Sequence, residues 1–223
     1  MRSAAVVFAL ACATAHASDE GWKLEKDQDG VKMYTRAVEN WSIREIRGAM
    51  HVDAPLADVV AVLDDTDASH ALSDVIAEEK VLQRTDDTHY RYYSMMDLPW
   101  PVSDRDVVYD RQIAQDAHTL AVTITDVALD GDAGVEPRSG IVRMVKSRQT
   151  WTVTPAASGV DVELRVLADP NGPIPAAIIN AMSIGTPFKT LVKLREMAHE
   201  KRYADSKMSF LRDPGEKATG ALQ

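Results

Sequence analysis

The clearest pattern in the chain is an alternation of apolar and polar residues that recurs up to residue 166. Val122 and Ile124, for example, alternate with Thr123 and Thr125. A period of two places one face of a strand on a core and the other in water, which is typical of an antiparallel sheet. The predicted strands are Gly21–Glu25, Val31–Val38, Ser42–Val52, His89–Leu98, Arg105–Ile113, Thr119–Thr125, Ile141–Val153 and Val160–Val166.

A second pattern has three- and four-residue steps and follows the turn Asp169–Pro173. It predicts a long helix from Ile174 to about Arg202, with one broad apolar stripe. A single long helix after a run of strands predicts an α+β fold in which a curved antiparallel sheet wraps around that helix. The two shorter predicted helices run from Asp53 to residues 64–67 and from Ser69 to about Ile76.

Length and charge limit the kind of protein. The chain has 223 residues, of which 45% are hydrophobic, and no bilayer-spanning apolar run follows residue 20. We therefore predict one soluble domain over residues 18–203, followed by a polar, flexible tail over residues 204–223. The formal net charge is −9, and no stretch is rich in lysine or arginine. This balance argues against nucleic acid as a partner.

The first seventeen residues resemble an export signal. Arg2 supplies a positive charge, Ala4–Ala13 an apolar core, and Ala15–Ala17 a small-residue cleavage pattern. Cleavage after Ala17 predicts a periplasmic or secreted protein without cysteine, because the single cysteine, Cys12, lies inside this segment. A lipid anchor on Cys12 is the alternative.

Several polar residues share the parity that otherwise points inward. They are Tyr90, Tyr92, Tyr109, Arg111 and Arg143. A buried unpaired charge is costly, so the two arginines need partners, ordered water or a ligand. The sequence therefore indicates a partly hydrated interior. The alternatives are a surface location for Arg111, paired with outward acids, and a structural salt bridge for Arg143.

Three motifs resemble the steroidogenic-acute-regulatory-related lipid-transfer (START) domains. They are Leu98–Asp106 followed by Val107-Val108, then Gly140–Arg143, and Pro173–Asn180 at the start of the last helix. The resemblance covers roughly Trp22 to His199 in the family's order. It implies a helix-grip fold with a central hydrophobic tunnel for one lipid or sterol. The loop Leu98–Asp104 and the start of the last helix would form the tunnel's mouth.

The resemblance also implies a role for Arg111. Family members commonly have an arginine at this position inside the tunnel, and its acidic partner would align with Tyr92 here. A tyrosine hydroxyl cannot neutralise Arg111. Either another acid approaches it, or the tunnel is wetter, or the ligand carries an anionic or carbonyl group. In an alternating meander, the loops 98–104, 127–140 and 169–175 are expected at the same end of the sheet.

The expected ligand-binding residues share inward parity, the mouth loop or the inner face of the last helix. They are Tyr90, Tyr92, Met96, Trp100, Val107, Tyr109, Arg111, Val122, Arg143, Leu164, Ile178, Met182 and Phe188. We expect Arg111 to meet the polar end of the ligand, with Tyr92 and Tyr109 beside it. Trp100 lies between two prolines, and it is interpreted either as a lid residue in transient membrane contact or as a plug on the core.

A search for catalytic motifs finds no glycine-rich phosphate loop, nucleophile elbow or His-Glu-x-x-His, so we predict neither a cofactor nor a metal. The leading hypothesis is a non-enzymatic carrier of one hydrophobic molecule. The rival is an enzyme of the polyketide cyclase or aromatase type, and a third possibility is an interaction module without a ligand. Sterols, hopanoids, phospholipids, fatty acids and isoprenoid quinones are all candidate ligands.

Overall fold

The structure is a computed structural model, and it describes residues 21–131, 133–174, 178–179 and 181–212. Ten strands within these residues form one sheet, where the alternating pattern predicts eight strands. The strands are β1 (Lys23–Gln28), β2 (Val31–Ala37), β3 (Arg44–Val52), β4 (Ile76–Asp86), β5 (His89–Met96), β6 (Asp104–Gln115), β7 (Val122–Ala128), β8 (Ile141–Arg143), β9 (Lys146–Pro155) and β10 (Val160–Asp169).

The strand order is β1-β2-β3-β10-β9-β7-β6-β5-β4, and each neighbouring pair on this path is antiparallel. β8 lies off this path and pairs in parallel with the start of β6. The pairing of β3 with β10 joins the first three strands of the chain to its last strand, in the interior of the sheet. Because β1 and β4 are the two outer strands, the sheet remains open and its inner face can hold a helix.

Helices cover the inner face of this curved sheet. They are α1 (Leu56–Asp64), α2 (Ser69–Leu72) and α3 (Thr186–Met197), and a π-helical segment, Ala181–Gly185, leads into α3. α3 buries Phe188, Leu191, Leu194 and Met197 in the core. Gly48 on β3 allows this approach, because a Cβ atom there would overlap the Leu191 side chain. The α+β helix-grip arrangement is therefore confirmed.

The last helix is shorter at its C-terminal end than predicted. α3 ends at Met197 rather than near Arg202, and residues 198–205 form turns. The chain reverses there, so that the Tyr203 hydroxyl can donate to Asp65 at 2.8 Å. The predicted start at Ile174 cannot be compared in the same way, because residues 175–177 and 180 lie outside the described part of the chain.

β4 was not predicted from the sequence. Its register against β5 shifts between Ile76 and Glu78 and at two later points, so inward-facing residues do not recur at every second position. Ile76 and Glu79 both line the interior although they are three residues apart. The short helix that was predicted to reach Ile76 ends instead at Leu72, and β4 follows it.

Several other strand boundaries also differ by a few residues, and two of the differences have a clear cause. The predicted strand Ile141–Val153 is interrupted after Arg143, because β8 pairs with β6 whereas β9 pairs with β7 and β10. β7 begins at Val122 rather than Thr119, because Leu120 has a φ angle of 58° in the turn before the strand. An antiparallel ladder cannot include a residue in that left-handed conformation.

The chain remains packed beyond residue 203, further than the predicted domain boundary. Met208, Phe210 and Leu211 contact the core, and the Arg212 amide donates to Gln115. Residues 213–223, like the predicted signal over 1–17, lie outside the described residues. Within the described ranges, no helix is both long and apolar enough to cross a bilayer.

Candidate functional site

A cavity of about 260 Å³ lies between the inner face of the sheet and the last helix. Its apolar wall includes Leu164, Val166 and Ala168, which alternate along β10 and so point to the same side. Ile179 and Pro187 contribute from the helical side. The inward-facing residues of β10 and the helical residues opposite them thus enclose an apolar chamber. Polar groups reach it only at particular positions.

Arg111 of β6 occupies the end of the cavity furthest along the strand from the mouth loop. Its guanidinium donates to both carboxylate oxygens of Asp126, from Nε to Oδ1 at 2.6 Å and from Nη2 to Oδ2 at 2.9 Å. The two residues are direct partners in the β6–β7 ladder, so strand register places them together. Arg111 is 6% exposed and Asp126 is fully buried.

The remaining N–H groups of Arg111 are also engaged. Nη1 donates to the Leu63 carbonyl at 2.9 Å and to the Tyr90 hydroxyl at 3.1 Å, while Nη2 donates to the Tyr92 hydroxyl at 3.4 Å. A guanidinium has five N–H donors, and here each has a protein acceptor. Burial alone would lower the pKa of Arg111, but the Asp126 carboxylate and the adjacent tyrosines outweigh it and raise that pKa, so the side chain stays charged.

Arg111 therefore has a fixed counter-charge within the protein. Of the three possibilities, the structure shows the first: another acid, Asp126, approaches the guanidinium. The sequence contained a signal for this residue, because Asp126 follows Val122 and Ile124 on the same parity. Extending the β7 alternation by one step would have placed a carboxylate on the inner face.

Three tyrosines form a layer beside this ion pair. The ring centroids of Tyr90 and Tyr92 are 6.1 Å apart, and those of Tyr92 and Tyr109 are 5.4 Å apart. Tyr90 donates to Asp64 at 2.6 Å, and the hydroxyls of Tyr109 and Ser147 lie 2.8 Å apart. Burial raises the pKa of each of these tyrosines above its usual value, so all three are neutral hydrogen-bonding groups at physiological pH.

Glu79 adds a carboxyl group to the same cavity. It lies on β4, directly opposite Ser94 of β5, and it is half-buried. Hydrogen bonds from the hydroxyls of Ser94 and Ser69 reach its carboxylate. Burial outweighs these bonds and the attraction of Arg111, and it raises the pKa of Glu79 to about 7. Glu79 is thus a cavity-lining acid that titrates near neutrality.

The mouth of the cavity is organised by a second buried arginine, Arg105, at the start of β6. Its guanidinium donates to the carbonyls of Ser103, Pro170 at 3.0 Å and Asn171 at 2.9 Å. The Asn171 amide group donates in turn to the Arg143 carbonyl at 3.2 Å. These bonds join two of the loops that were predicted to share one end of the sheet, 98–104 and 169–175, to the end of β8. The third loop, 127–140, is attached to β8 by the Arg143 guanidinium, which donates to the Val135 carbonyl at 3.3 Å.

Trp100 lies in the first of these loops. Its side chain is 91% exposed, while Leu98 nearby is buried and lines the cavity. Asp104 fixes the base of the loop by accepting a hydrogen bond from the Leu98 amide at 3.1 Å. Of the two interpretations of Trp100, the plug on the core does not match this exposure.

The predicted ligand-binding residues divide into groups. Five line the cavity: Tyr92, Met96, Tyr109, Arg111 and Leu164. Four others are buried in the protein body without forming the described cavity wall: Tyr90, Val107, Val122 and Phe188. Ile178 is half-buried in the helical segment before α3, outside the described wall, and the Met182 side chain lies outside what the structure describes.

Arg143 does not point into the cavity. Its guanidinium binds both oxygens of buried Asp106, at 2.7 and 3.0 Å, on the opposite side of the sheet from Arg111. The structural salt bridge is therefore the correct interpretation of Arg143, because β8 belongs to a separate pairing from β9 and the inward parity of β9 does not extend to it. Sequence reasoning missed Glu79 and Asp126. It also missed that Arg105 holds the mouth loops together through their carbonyls, an arrangement called the Arg105 clamp below.

These features define a protein with a helix-grip fold around an internal, largely apolar cavity. The family model of the START domain matches residues 8–202, so the chain belongs to the START domain family. Within the described residues, no group of three or more histidine, cysteine or acidic side chains is placed to hold a metal ion.

Comparisons with individual proteins agree with this assignment. The chain is 37% identical to a STAR-related lipid transfer protein fragment from Xanthomonas axonopodis, covering 81% of this chain and 100% of that one, with a TM-score of 0.73. It is 32% identical to the uncharacterized protein PA1579 of Pseudomonas aeruginosa, over 89% of this chain and 95% of that protein. Human STARD10 shares the fold, with a TM-score of 0.71 and 21% identity over 82% of this chain and 74% of that one.

Proposed function

We propose that the protein binds one lipid-like molecule in its internal cavity and carries it without chemical change. The observation that carries this proposal is the cavity between the sheet and the last helix, apolar along β10 and polar only at particular positions. Burial of an apolar ligand there is favourable by roughly 25 cal/mol per Å². The similarity to a bacterial STAR-related lipid transfer protein supports the same function.

The size of the cavity narrows the candidate ligands. Its volume of about 260 Å³ is slightly below the range of roughly 300–1,000 Å³ that is usual for small-molecule sites. A compact ring system or a single acyl chain fits this space better than a two-chain phospholipid. A larger ligand requires the mouth loops to separate, and such loop opening is a common route for ligand exchange.

We further propose that the protein acts outside the cytoplasm and exchanges its ligand at a membrane. The support for export is the charged, apolar and small-residue pattern of residues 2–17. Support for membrane contact comes from Trp100, since tryptophan favours the bilayer interface and this side chain is 91% exposed beside the mouth. Protein recovered from its own host should then begin at Ser18. An intact Met1 on soluble cytoplasmic protein would contradict export.

An enzymatic function remains a second candidate because of Glu79. A carboxyl with a pKa of about 7 inside a cavity has the property that general acid–base catalysis uses. The other polar groups of this region are less suitable for catalysis: burial raises the pKa of Tyr90, Tyr92 and Tyr109, and every N–H of Arg111 is engaged. Turnover of a bound molecule would favour the enzyme over the carrier.

Native mass spectrometry of protein purified from its host's envelope tests the carrier function. We expect one co-purifying hydrophobic molecule per chain. Ala168→Phe should prevent this binding, because Ala168 lines the cavity. Leu167→Phe is a matched control on the adjacent residue, which lines a groove on the other face of β10, and it should retain the ligand. A wild-type protein that never carries a lipid, or equal loading in both variants, would contradict the proposal.

A further inference from the structure

The carboxyl group of Glu79 is placed to contact whatever occupies the cavity. A shift in the β4–β5 register turns Glu79 toward the inside, while the preceding residue Glu78 turns outward and forms an ion pair with Arg138 at 2.8 Å. Two adjacent glutamates on one strand therefore have opposite surroundings. Glu78 has a cation beside it in water, whereas Glu79 faces an apolar chamber.

The arginine nearest to Glu79 does not supply a free positive charge. Arg111 attracts Glu79, but its guanidinium forms a bidentate pair with Asp126, and its remaining N–H groups bind Leu63, Tyr90 and Tyr92. The pair is neutral overall. Together with Glu79, the pair therefore amounts to two carboxylates and one guanidinium whenever Glu79 is ionised, and a third carboxyl group, that of Asp64, is hydrogen-bonded to Tyr90 beside them.

Other charged residues of the cavity wall are committed elsewhere. Arg105 donates to the loop carbonyls at the mouth, and Arg44 donates to Thr35 at 3.5 Å. From the segment that packs on β4, Asp65 accepts hydrogen bonds from Tyr203 and from the amide of Ala68. Apart from Arg44, whose side chain is exposed at the start of β3, no cation among these described groups is available to pair with a second negative charge brought in by a ligand.

We propose that Glu79 determines ligand specificity: it restricts the polar end of the bound molecule to groups without negative charge, with a hydroxyl as the best match. This inference rests on the proposed lipid-binding function. An anionic head group would lie near Asp126 and an ionised Glu79 at low dielectric, where like charges disfavour one another strongly. A hydroxyl can instead donate to the carboxylate and accept from the neighbouring serine or tyrosine hydroxyls.

The protonation of Glu79 gives this selection a pH dependence. Burial raises the pKa of Glu79 to about 7 against the attraction of Arg111, while Asp126 contributes in the same direction as burial. The facing groups from β5 and β6, Tyr92 and Tyr109, stay neutral. An anionic ligand must therefore enter with uptake of one proton above pH 7, and its affinity should fall about tenfold per pH unit there.

Calorimetric titration of delipidated protein with 1-dodecanol and dodecanoate, at pH 6 and pH 8.5, tests the inference. The two probes have the same chain and differ only at the polar end. For the wild type at pH 8.5 we expect a preference for the alcohol of about tenfold or more. Glu79→Gln should bring the two affinities within about threefold of each other and abolish the pH dependence of dodecanoate binding. Glu78→Gln is the matched control, and it should behave as the wild type.

The possible failures are distinguishable. If Glu79→Gln binds both probes with the wild-type preference, the specificity role is overturned while lipid binding stands. Loss of both probes in a Glu79→Gln protein that is folded and at least as stable as the wild type would also overturn it, since the residue would then serve affinity rather than selection. If neither probe binds any of the three proteins, the specificity role and the proposed function are both overturned.

Discussion

Two buried arginines of β6, six positions apart, hold the two ends of the cavity by different means. Arg111, at the end away from the mouth, forms a bidentate pair with buried Asp126. Arg105, at the mouth, donates only to backbone carbonyls of the loops, at distances such as 3.0 Å to Pro170. Asp126 helps to raise the pKa of Arg111, whereas burial lowers that of Arg105.

The difference separates a fixed end from an end that can open. Separating Arg111 from Asp126 leaves two buried charges without partners, which is strongly unfavourable. When the bonds of Arg105 to the loop carbonyls break, water can replace the protein groups on both sides, because the loop residues Pro99–Pro101 and Asn171 are near solvent. Ligand exchange is therefore expected at the Arg105 end, and the polar end should remain rigid during it.

The largest expected effect is on the Arg111–Asp126 pair. Arg111→Leu should lower the free energy of unfolding by about 3–5 kcal/mol, because it leaves the Asp126 carboxylate buried and unpaired. The double variant Arg111→Leu/Asp126→Leu should recover most of this loss. If Arg111 were a lone buried charge, its replacement by leucine would spare folding, and the presence of Asp126 reverses that expectation.

Urea unfolding of the wild type, the two single variants and the double variant measures this coupling. Arg143→Leu provides a useful comparison, because its partner Asp106 is also buried but lies on the other side of the sheet. If the double variant loses as much unfolding free energy as the two single variants together, the pair is not the rigid unit inferred here.

A smaller effect is expected at Glu79, beside the fixed end. Its pKa is raised from 4.5 to about 7 in the folded protein, so its neutral form is favoured there. The corresponding stability is fully present below about pH 4.5 and is lost as the pH rises through 7. Glu79→Gln should therefore be more stable than the wild type by about 2–3 kcal/mol at pH 8 and nearly equal at pH 4. Thermal or urea unfolding at both pH values checks this, and a difference independent of pH would contradict it.

At the mouth, Arg105→Ala should lower the free energy of unfolding less than Arg111→Leu does, but it should change the rate of ligand dissociation. We expect a loss of about 1–2 kcal/mol, because the freed carbonyls can bind water. Ligand dissociation should become about tenfold faster, since the loops lose their shared clamp. Stopped-flow transfer of a bound fluorescent lipid to vesicles measures the rate. Unchanged dissociation from a folded Arg105→Ala protein would show that the mouth does not open at this clamp.

The smallest effect on stability is expected at Trp100. Because its side chain is 91% exposed, Trp100→Ser should change the free energy of unfolding by less than about 0.5 kcal/mol. Binding to neutral lipid vesicles should nevertheless weaken, since an interfacial aromatic residue is removed. Vesicle sedimentation compares the variant with Val127→Ser, a change at an exposed apolar residue of β7. Equal vesicle binding by both variants and the wild type would remove the proposed membrane contact.

The sequence predicted those parts of the structure in which the chain keeps a regular period. β5, β6 and β10 alternate cleanly, and Tyr92, Tyr109 and Arg111 consequently line the cavity as expected. β4 and its Glu79 were missed because shifts in register disrupt the alternation of inward positions. A strand of this kind can be recognised only when its pairing partner is known.

The partner of Arg111 was missed for a different reason. The family pattern placed the acid at Tyr92 on β5, whereas in this chain it lies at Asp126 on β7, the other neighbour of β6. Parity assigns a residue to a face of the sheet, but only register assigns it to a partner. Arg143 shows the same limit, because its partner depends on the separate pairing of β8.

An experimental structure of the ligand-loaded protein tests the central claim most directly. Protein purified with its lipid should show one elongated or ring-shaped molecule inside the cavity, with its apolar part along Leu164, Val166 and Ala168. Its polar end should lie within hydrogen-bond distance of Glu79, while the Arg111–Asp126 pair remains closed. A cavity filled by protein side chains, or a lipid bound only on the outer face of the sheet, would contradict the claim.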